Sequence, residues 1–185
     1  MTYYSILKTG LVGDLLLVGD RQHLNGVYFL NCPHAPAIQP EWSLAPQDPV
    51  LKQAGEELQG YLRGARTSFS ASLGCAGTDF QKEVWRQITL IPYGQTITYT
   101  ELARRAGAPA AVRAAGTATG QNPVSIIVPC HRVVGKNGSL RGYAGGLDRK
   151  RRLLAVEFTI HCQGIDLKEK APAGEPAGAG GSMSD

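Results

Sequence analysis

The sequence predicts a mixed α/β (α+β) fold. A small strand-and-helix part comes first, then a mainly helical part with a helix-turn-helix and an active-site cysteine turn. Three observations carry this. Short apolar or β-branched runs separated by glycine fill the chain up to Leu30, the signature of strands joined by tight turns. From Val50 onward apolar residues recur at helical spacing instead. Between them, Asn31 to Pro49 holds Pro33, Pro36, Pro40, Pro46 and Pro49 and reads as loop.

Taken in order, Tyr3–Lys8, Leu11–Val18 and Leu24–Leu30 are the expected strands, with Gly10, Gly13, Gly19 and Asn25-Gly26 as punctuation. Val50, Leu51, Ala54, Leu58, Tyr61 and Leu62 form one helical stripe. Gly74 to Gly77 reads as a linker, which divides the chain into 1–75 and 76–162. Thr78-x-x-Gln81 can close a capping box ahead of the stripe Phe80, Val84, Trp85, Ile88 and Ile91. Pro92-Tyr93-Gly94 breaks that helix. Thr98-x-x-Glu101 opens a shorter one through Ala106, Gly107-Ala108-Pro109 turns the chain, and Ala110 to Thr119 makes a second helix ending at Gly120, a left-handed terminator. Two short helices around a glycine turn are a helix-turn-helix candidate. The second is almost bare of side chains, and Arg113 stands out on it. That suits either close helix packing or close approach to a surface such as a DNA groove. Ile126–Val128 reads as a buried strand running into Pro129, and a further helix starts at Asp148. The stretch 163–185 lacks apolar periodicity and is expected to be disordered.

A chain of 185 residues with 43% hydrophobic and 18% charged residues suits a globular protein. No apolar run approaches the roughly 20 residues of a membrane helix, so no membrane partner is expected. The start has no basic segment followed by an apolar one, and Cys32, Cys75, Cys130 and Cys162 are widely spread with no CxxC. A reducing, cytoplasmic setting follows. The charge is uneven. Tyr99 to Arg152 holds ten Lys/Arg against two acids, a net +8, while the rest, nine against thirteen, is −4. An anionic partner, nucleic acid first, and a solvated basic face are equally good readings of that asymmetry.

Pro129-Cys130-His131-Arg132-Val133 carries the chemistry. A thiolate is a strong nucleophile where a base or positive charge helps form it. Adjacent strand residues point to opposite faces, so a Cys130–His131 relay needs an irregular turn or a bridging water. Glu157 is placed to orient the imidazole as a carboxylate does in a Ser-His-Asp triad. The bland alternative is a buried cysteine acting as a small hydrophobe. A zinc site from Cys32, His34, Cys75 and His23 is the weakest reading, since those spacings match no metal motif.

The ordered blocks from Thr78 to Glu157 resolve the choice. They are Phe80-Gln81-Lys82-Glu83-Val84-Trp85, Ile91-Pro92-Tyr93-Gly94, Tyr99, Arg113-Ala114-Ala115-Gly116, Asn122-Pro123, the Pro-Cys-His-Arg-Val block, Gly142-Tyr143-Ala144-Gly145-Gly146, and Glu157. In this order they resemble the O6-alkylguanine-DNA alkyltransferases, also called methylated-DNA–protein-cysteine methyltransferases. The resemblance implies DNA repair, by irreversible and stoichiometric transfer of an alkyl group from O6-alkylguanine in duplex DNA to Cys130, with O4-alkylthymine as a second lesion. It implies that His131 takes the thiol proton through a water and Glu157 holds the imidazole. Asn122 is the structural asparagine tying the cysteine turn to the helix-turn-helix. Tyr99 donates to N3 of the flipped guanine. The Val133 carbonyl, Tyr143 and the Ala144 N–H form the base pocket. Arg113 enters the base stack, and Ala114 and Gly116 let the helix approach the minor groove. Arg104, Arg105 and Arg149–Arg152 are candidates for phosphate contacts. Mammalian members have serine where this chain has Ala144. The resemblance implies no cofactor, double-stranded DNA as the partner, and a monomer. Competing readings are a non-catalytic protein that binds alkylated lesions, whose relatives lack the cysteine, a sequence-specific regulator, and a cysteine hydrolase.

Overall fold

The computed structural model describes residues 1–169. Three antiparallel strands, β1 (Tyr3–Leu7), β2 (Leu15–Gly19) and β3 (Leu24–Phe29), run side by side, and β4 (Ser43–Leu44) lies parallel to β1, giving the order β3-β2-β1-β4. Every residue of β2 is buried, because α1 (Pro49–Leu62) packs across the sheet. The α1 start is fixed by Asp48, whose carboxylate accepts from the Val50 and Leu51 N–H groups, and by Pro49 at the first helical position. Its stripe buries Leu51, Ala54, Leu58 and Tyr61. Each fully buried leucine there stabilises the fold by roughly 1.5–3 kcal/mol.

The second part opens with α2 (Asp79–Thr89), and its Thr78/Gln81 capping box is formed. Then come β5 (Ile97–Thr98), α3 (Tyr99–Arg105), α4 (Val112–Gly120), β6 (Val133–Val134), parallel to β5, and α5 (Leu147–Glu169). Gly107, at φ +74°, makes the turn between α3 and α4, which a side chain would strain. Trp85 on α2 donates its indole N–H to the Ala118 carbonyl at 2.8 Å and so pins α4.

The two parts share an edge. The Val27 N–H bonds to the Pro123 carbonyl and the Ser125 N–H to the Val27 carbonyl, at 2.8 and 3.0 Å. The cysteine turn therefore hangs directly from β3. One apolar cluster crosses this seam, from Leu15, Leu17 and Leu58 to Ile88, Leu102, Val133 and Leu153.

Several expectations need correction. Ile126–Val128 is not a strand. Ile126 sits at φ +75°, a strained conformation for a β-branched residue, and the Val128 N–H folds back to the Val124 carbonyl. Gly120 is not left-handed. α4 runs through it and ends at Gln121, whose N–H reaches the Thr117 and Ala118 carbonyls. The second strand begins at Leu15, because Leu11 to Asp14 turn around Gly13 (φ +79°). The proline-rich loop contains β4. The Thr98 hydroxyl accepts from the Glu101 N–H, but the Glu101 carboxylate goes to Arg104 and Arg105, so that box is half formed. α5 continues to Glu169, so the first seven residues of the expected tail, 163–169, are helical. Adding residues to an existing helix costs no new nucleation, so apolar periodicity is not required there. The rest of the expected disordered tail, 170–185, lies outside the described residues.

Candidate active site

Cys130 opens a single 3-10 turn, Cys130–Arg132, directly after Pro129. The tight turn carries Cys130, His131 and Arg132, all of them buried. Asn122 holds this turn. Its side-chain amide donates to the Val128 carbonyl at 2.9 Å and to the Cys130 sulfur at 3.2 Å, while its oxygen accepts from the Val124 N–H at 3.0 Å. The asparagine thereby supplies backbone bonds that the strained Ile126 turn lacks.

The Nε2 side of His131 faces a polar cluster. Its Nε2 lies 2.7 Å from Glu157 Oε1 on α5. The Arg132 Nε is 3.0 Å from both Glu157 oxygens, and an Arg132 terminal nitrogen donates to the Ile91 carbonyl at 2.6 Å. The Gly94 N–H donates to Glu157 Oε2 at 2.9 Å. Tyr61, from α1, donates its hydroxyl to Glu157 Oε1 and lies 3.1 Å from His131 Nε2. Burial works to raise the Glu157 carboxyl. The bond from His131, the His131 and Arg132 charges and the Tyr61 hydroxyl overcome it and bring the group from 4.5 down to about 2. Glu157 is therefore an anion, and Nε2 must carry the imidazole hydrogen. Burial holds His131 below its ordinary value, so the ring is neutral near pH 7, with its lone pair on Nδ1. Burial pushes the Cys130 thiol above its ordinary value. The Asn122 bond and the Lys150 ammonium pull part of the way back. The resting sulfur is a thiol, which needs a base at the moment of attack.

Tyr99, Arg113, Gly116, Tyr143 and Ala144 line one cavity of about 550 Å3 together with Arg141, and His34 reaches in from the N-terminal loop. Tyr99 donates its hydroxyl to the Arg141 and Gly142 carbonyls, at 3.1 and 3.2 Å. The Val133 carbonyl accepts from Lys150 Nζ at 2.6 Å and keeps a second lone pair. Arg113 and Ala114 are exposed on α4 and line a shallow groove at its start.

The basic segment is less free than its composition suggests. Arg104 and Arg105 pair with Glu101, Arg132 with Glu157, and Arg151 with Asp148. Arg149 donates to the Val12 carbonyl at 2.6 Å and lies over the Phe29 ring, and Arg152 donates to the Leu11 carbonyl at 2.8 Å. Lys150 is fully buried, and burial lowers it to about 8. The expectation that Arg149–Arg152 face phosphates is thus corrected: three of the four are spent on backbone carbonyls. Among the described residues, the cations of this segment whose side chains make neither a hydrogen bond nor an ion pair are Arg113, Lys136 and Arg141. No three His, Cys, Asp or Glu of the described residues lie close enough to hold a metal ion, so Cys32, His34, Cys75 and His23 are not gathered into a site. No described helix is long and apolar enough to cross a membrane.

Sequence reasoning missed Tyr61, Arg132, Lys150 and Arg141 as parts of the site. Tyr61 had one signal, since a tyrosine on the buried stripe of a helix needs a partner for its hydroxyl. Arg141 had none beyond its place before the Gly-Tyr-Ala-Gly-Gly run.

Residues 79–159 match the family model described as 6-O-methylguanine DNA methyltransferase, DNA binding domain. A methylated-DNA–protein-cysteine methyltransferase of Methanosarcina acetivorans is 43% identical over 155 residues, covering 84% of this chain and 97% of that one. The protein of that name from Mycobacterium tuberculosis is 41% identical over 162 residues, 88% and 90%. The crystal structure of M. tuberculosis OGT in complex with DNA superposes with a TM-score of 0.77 at 40% identity, over 85% of this chain and 94% of that one.

Proposed function

Because the chain belongs to the methylated-DNA–protein-cysteine methyltransferases, we propose that it repairs duplex DNA by moving an alkyl group from guanine O6 onto Cys130, once per molecule. The observation that carries this is the sulfur held by Asn122, beside a neutral imidazole whose Nε2–H is committed to Glu157. His131 Nδ1 takes the thiol proton through a water. The sulfur lone pair attacks the alkyl carbon, the carbon–O6 bond breaks, and its electron pair leaves with the guanine. Tyr99 exchanges its loop carbonyls for guanine N3 and stabilises the negative charge developing there. The Val133 carbonyl and Ala144 N–H read the base edge beside Tyr143. The product is a thioether, which no group in the site can cleave, so the protein is consumed. Donor and acceptor are both named, and the step calls for no cofactor.

The O6 atom is inside the duplex, so the nucleotide must be extruded. α4 suits this, because Ala114 and Gly116 let its backbone come close to the minor groove while Arg113 takes the place of the lost base. Arg141 joins Arg113 at the cavity mouth. O4-alkylthymine presents an alkyl ether of similar geometry and is the second expected lesion. A reducing cytosol keeps the thiol available, and one flipped base needs one protomer. The test is single-turnover incubation with duplex DNA carrying O6-methylguanine, comparing the wild type with Cys130→Ala. The variant should bind the duplex and leave it methylated. Demethylation by Cys130→Ala would overturn the assignment.

A further inference from the structure

We propose that Tyr61 of α1 is a positioning residue for the transfer, holding the His131 imidazole neutral and aligned through a hydrogen-bonded triangle with Glu157. The inference rests on the reading of Cys130 as the acceptor and His131 as its base. It makes the N-terminal part a contributor to the chemistry as well as a support for it.

The triangle is closed. His131 Nε2 is 2.7 Å from Glu157 Oε1 and 3.1 Å from the Tyr61 hydroxyl, and that hydroxyl also meets Glu157 Oε1. All three side chains are essentially inaccessible. The carboxylate only accepts, so the Nε2–H and the phenol O–H both point to it. The phenol oxygen is left to accept from Nε2–H. Tyr61 thus joins His131 and Arg132 in sharing the charge of Oε1, which weakens the pull of the carboxylate on a second imidazole proton. Nδ1 is buried without a hydrogen-bond partner among the described residues. It remains the lone-pair nitrogen.

The groups facing the imidazole come from every element around it. They are Tyr61 from α1, Glu157 and Lys150 from α5, Arg132 and Cys130 from the cysteine turn, and Tyr143 from the glycine loop, whose ring stands at 90° to the imidazole with centroids 6.5 Å apart. Of these, Glu157 favours the imidazolium, while Arg132 and Lys150 oppose it. Tyr61 is a neutral hydroxyl that can moderate Glu157 without adding a charge. Its ring is itself fixed by Phe69 and Tyr93, with centroids at 5.2 and 5.9 Å.

The test is Tyr61→Phe, which keeps those ring contacts and removes one oxygen. The rate constant for alkyl transfer is measured under single-turnover conditions across pH, scaled to the fraction of molecules that become alkylated. The expected result is a rate roughly 10- to 100-fold lower at neutral pH, a part of the roughly 100- to 10,000-fold that a whole general base supplies. The acid limb should move to higher pH, because the carboxylate, relieved of the phenol O–H, stabilises the imidazolium more strongly. The end point should stay at one alkyl group per active molecule, with unchanged affinity for lesion DNA. An unshifted limb, with or without a slower rate, would overturn the proposal, since a purely structural role changes the active fraction and not the titration. If the wild type transfers nothing, the reading of Cys130 fails first. Should Tyr61→Phe not fold, the 15N shifts of His131 in the wild type decide. A neutral, Nε2-protonated ring at pH 7 supports the triangle, and an Nδ1–H tautomer or an imidazolium contradicts it.

Discussion

The cluster around Cys130 and the outer face of α4 solve opposite problems. In the cluster every polar atom but a few is paired inside the protein, and Glu157 alone collects donors from four residues. On α4, Arg113 and Ala114 are left to solvent, and the helix offers little besides its backbone. The difference teaches where a cation works. Arg132 and Lys150 act inward, compensating buried carboxylate and carbonyl groups, while Arg113 and Arg141 stand at the cavity mouth where a phosphate or a base gap can meet them. Net charge counts both kinds alike.

That division can be broken from either side. The largest effect is expected from Glu157→Gln. It strands Arg132 beside a neutral amide, and loss of one partner of a buried pair costs about 3–5 kcal/mol. Urea unfolding would show it, together with a slower transfer rate. If stability were unchanged, the cluster would not be the electrostatic unit described. Next, Arg113→Ala should slow transfer from duplex DNA by about tenfold or more while leaving reaction with a free O6-alkylguanine base unaltered, because only the duplex requires extrusion. Equal loss on both substrates would move Arg113 from the recognition face into the chemistry.

Acid should weaken the fold through the cluster. Glu157 is held below its ordinary value, so its contribution is fully present above about 4.5 and is lost as pH falls towards about 2. His131 is depressed too, and its contribution begins to fall away as pH drops below 6.5. Urea midpoints taken down a pH series should therefore fall in two stages, and the lower stage should vanish in Glu157→Gln. The smallest effect belongs to Arg152→Ala. Its guanidinium serves the Leu11 carbonyl, so the salt dependence of DNA binding should hold, whereas a lost phosphate contact would lower the slope by about one.

Much of this was legible in the sequence. The Thr78 capping box and the stripe of α2 fix that helix locally, and the glycine turn at Gly107 is dictated by its conformation. Cys130, His131 and Glu157 were legible as candidates from their chemistry, while Asn122 came only with the family resemblance. What escaped was tertiary. The turn at Ile126 contradicts the strand preference of its own residues, because Asn122 makes the competing bonds. Tyr61 lies 70 residues from His131, and the pairing of β3 with Pro123 and Ser125, with the core that crosses the seam, brings them together. The fate of the basic run was hidden for the same reason. The carbonyls of Val12 and Leu11 that occupy Arg149 and Arg152 belong to the other end of the chain.

The most direct test of the account is the intact mass of the protein after mixing with duplex DNA bearing a single O6-methylguanine, followed by peptide mapping. The prediction is one added methyl, saturating at one per molecule and carried by the peptide containing Cys130. Tight binding with no change in mass, or a methyl on a peptide with Cys32 or Cys75, would contradict it.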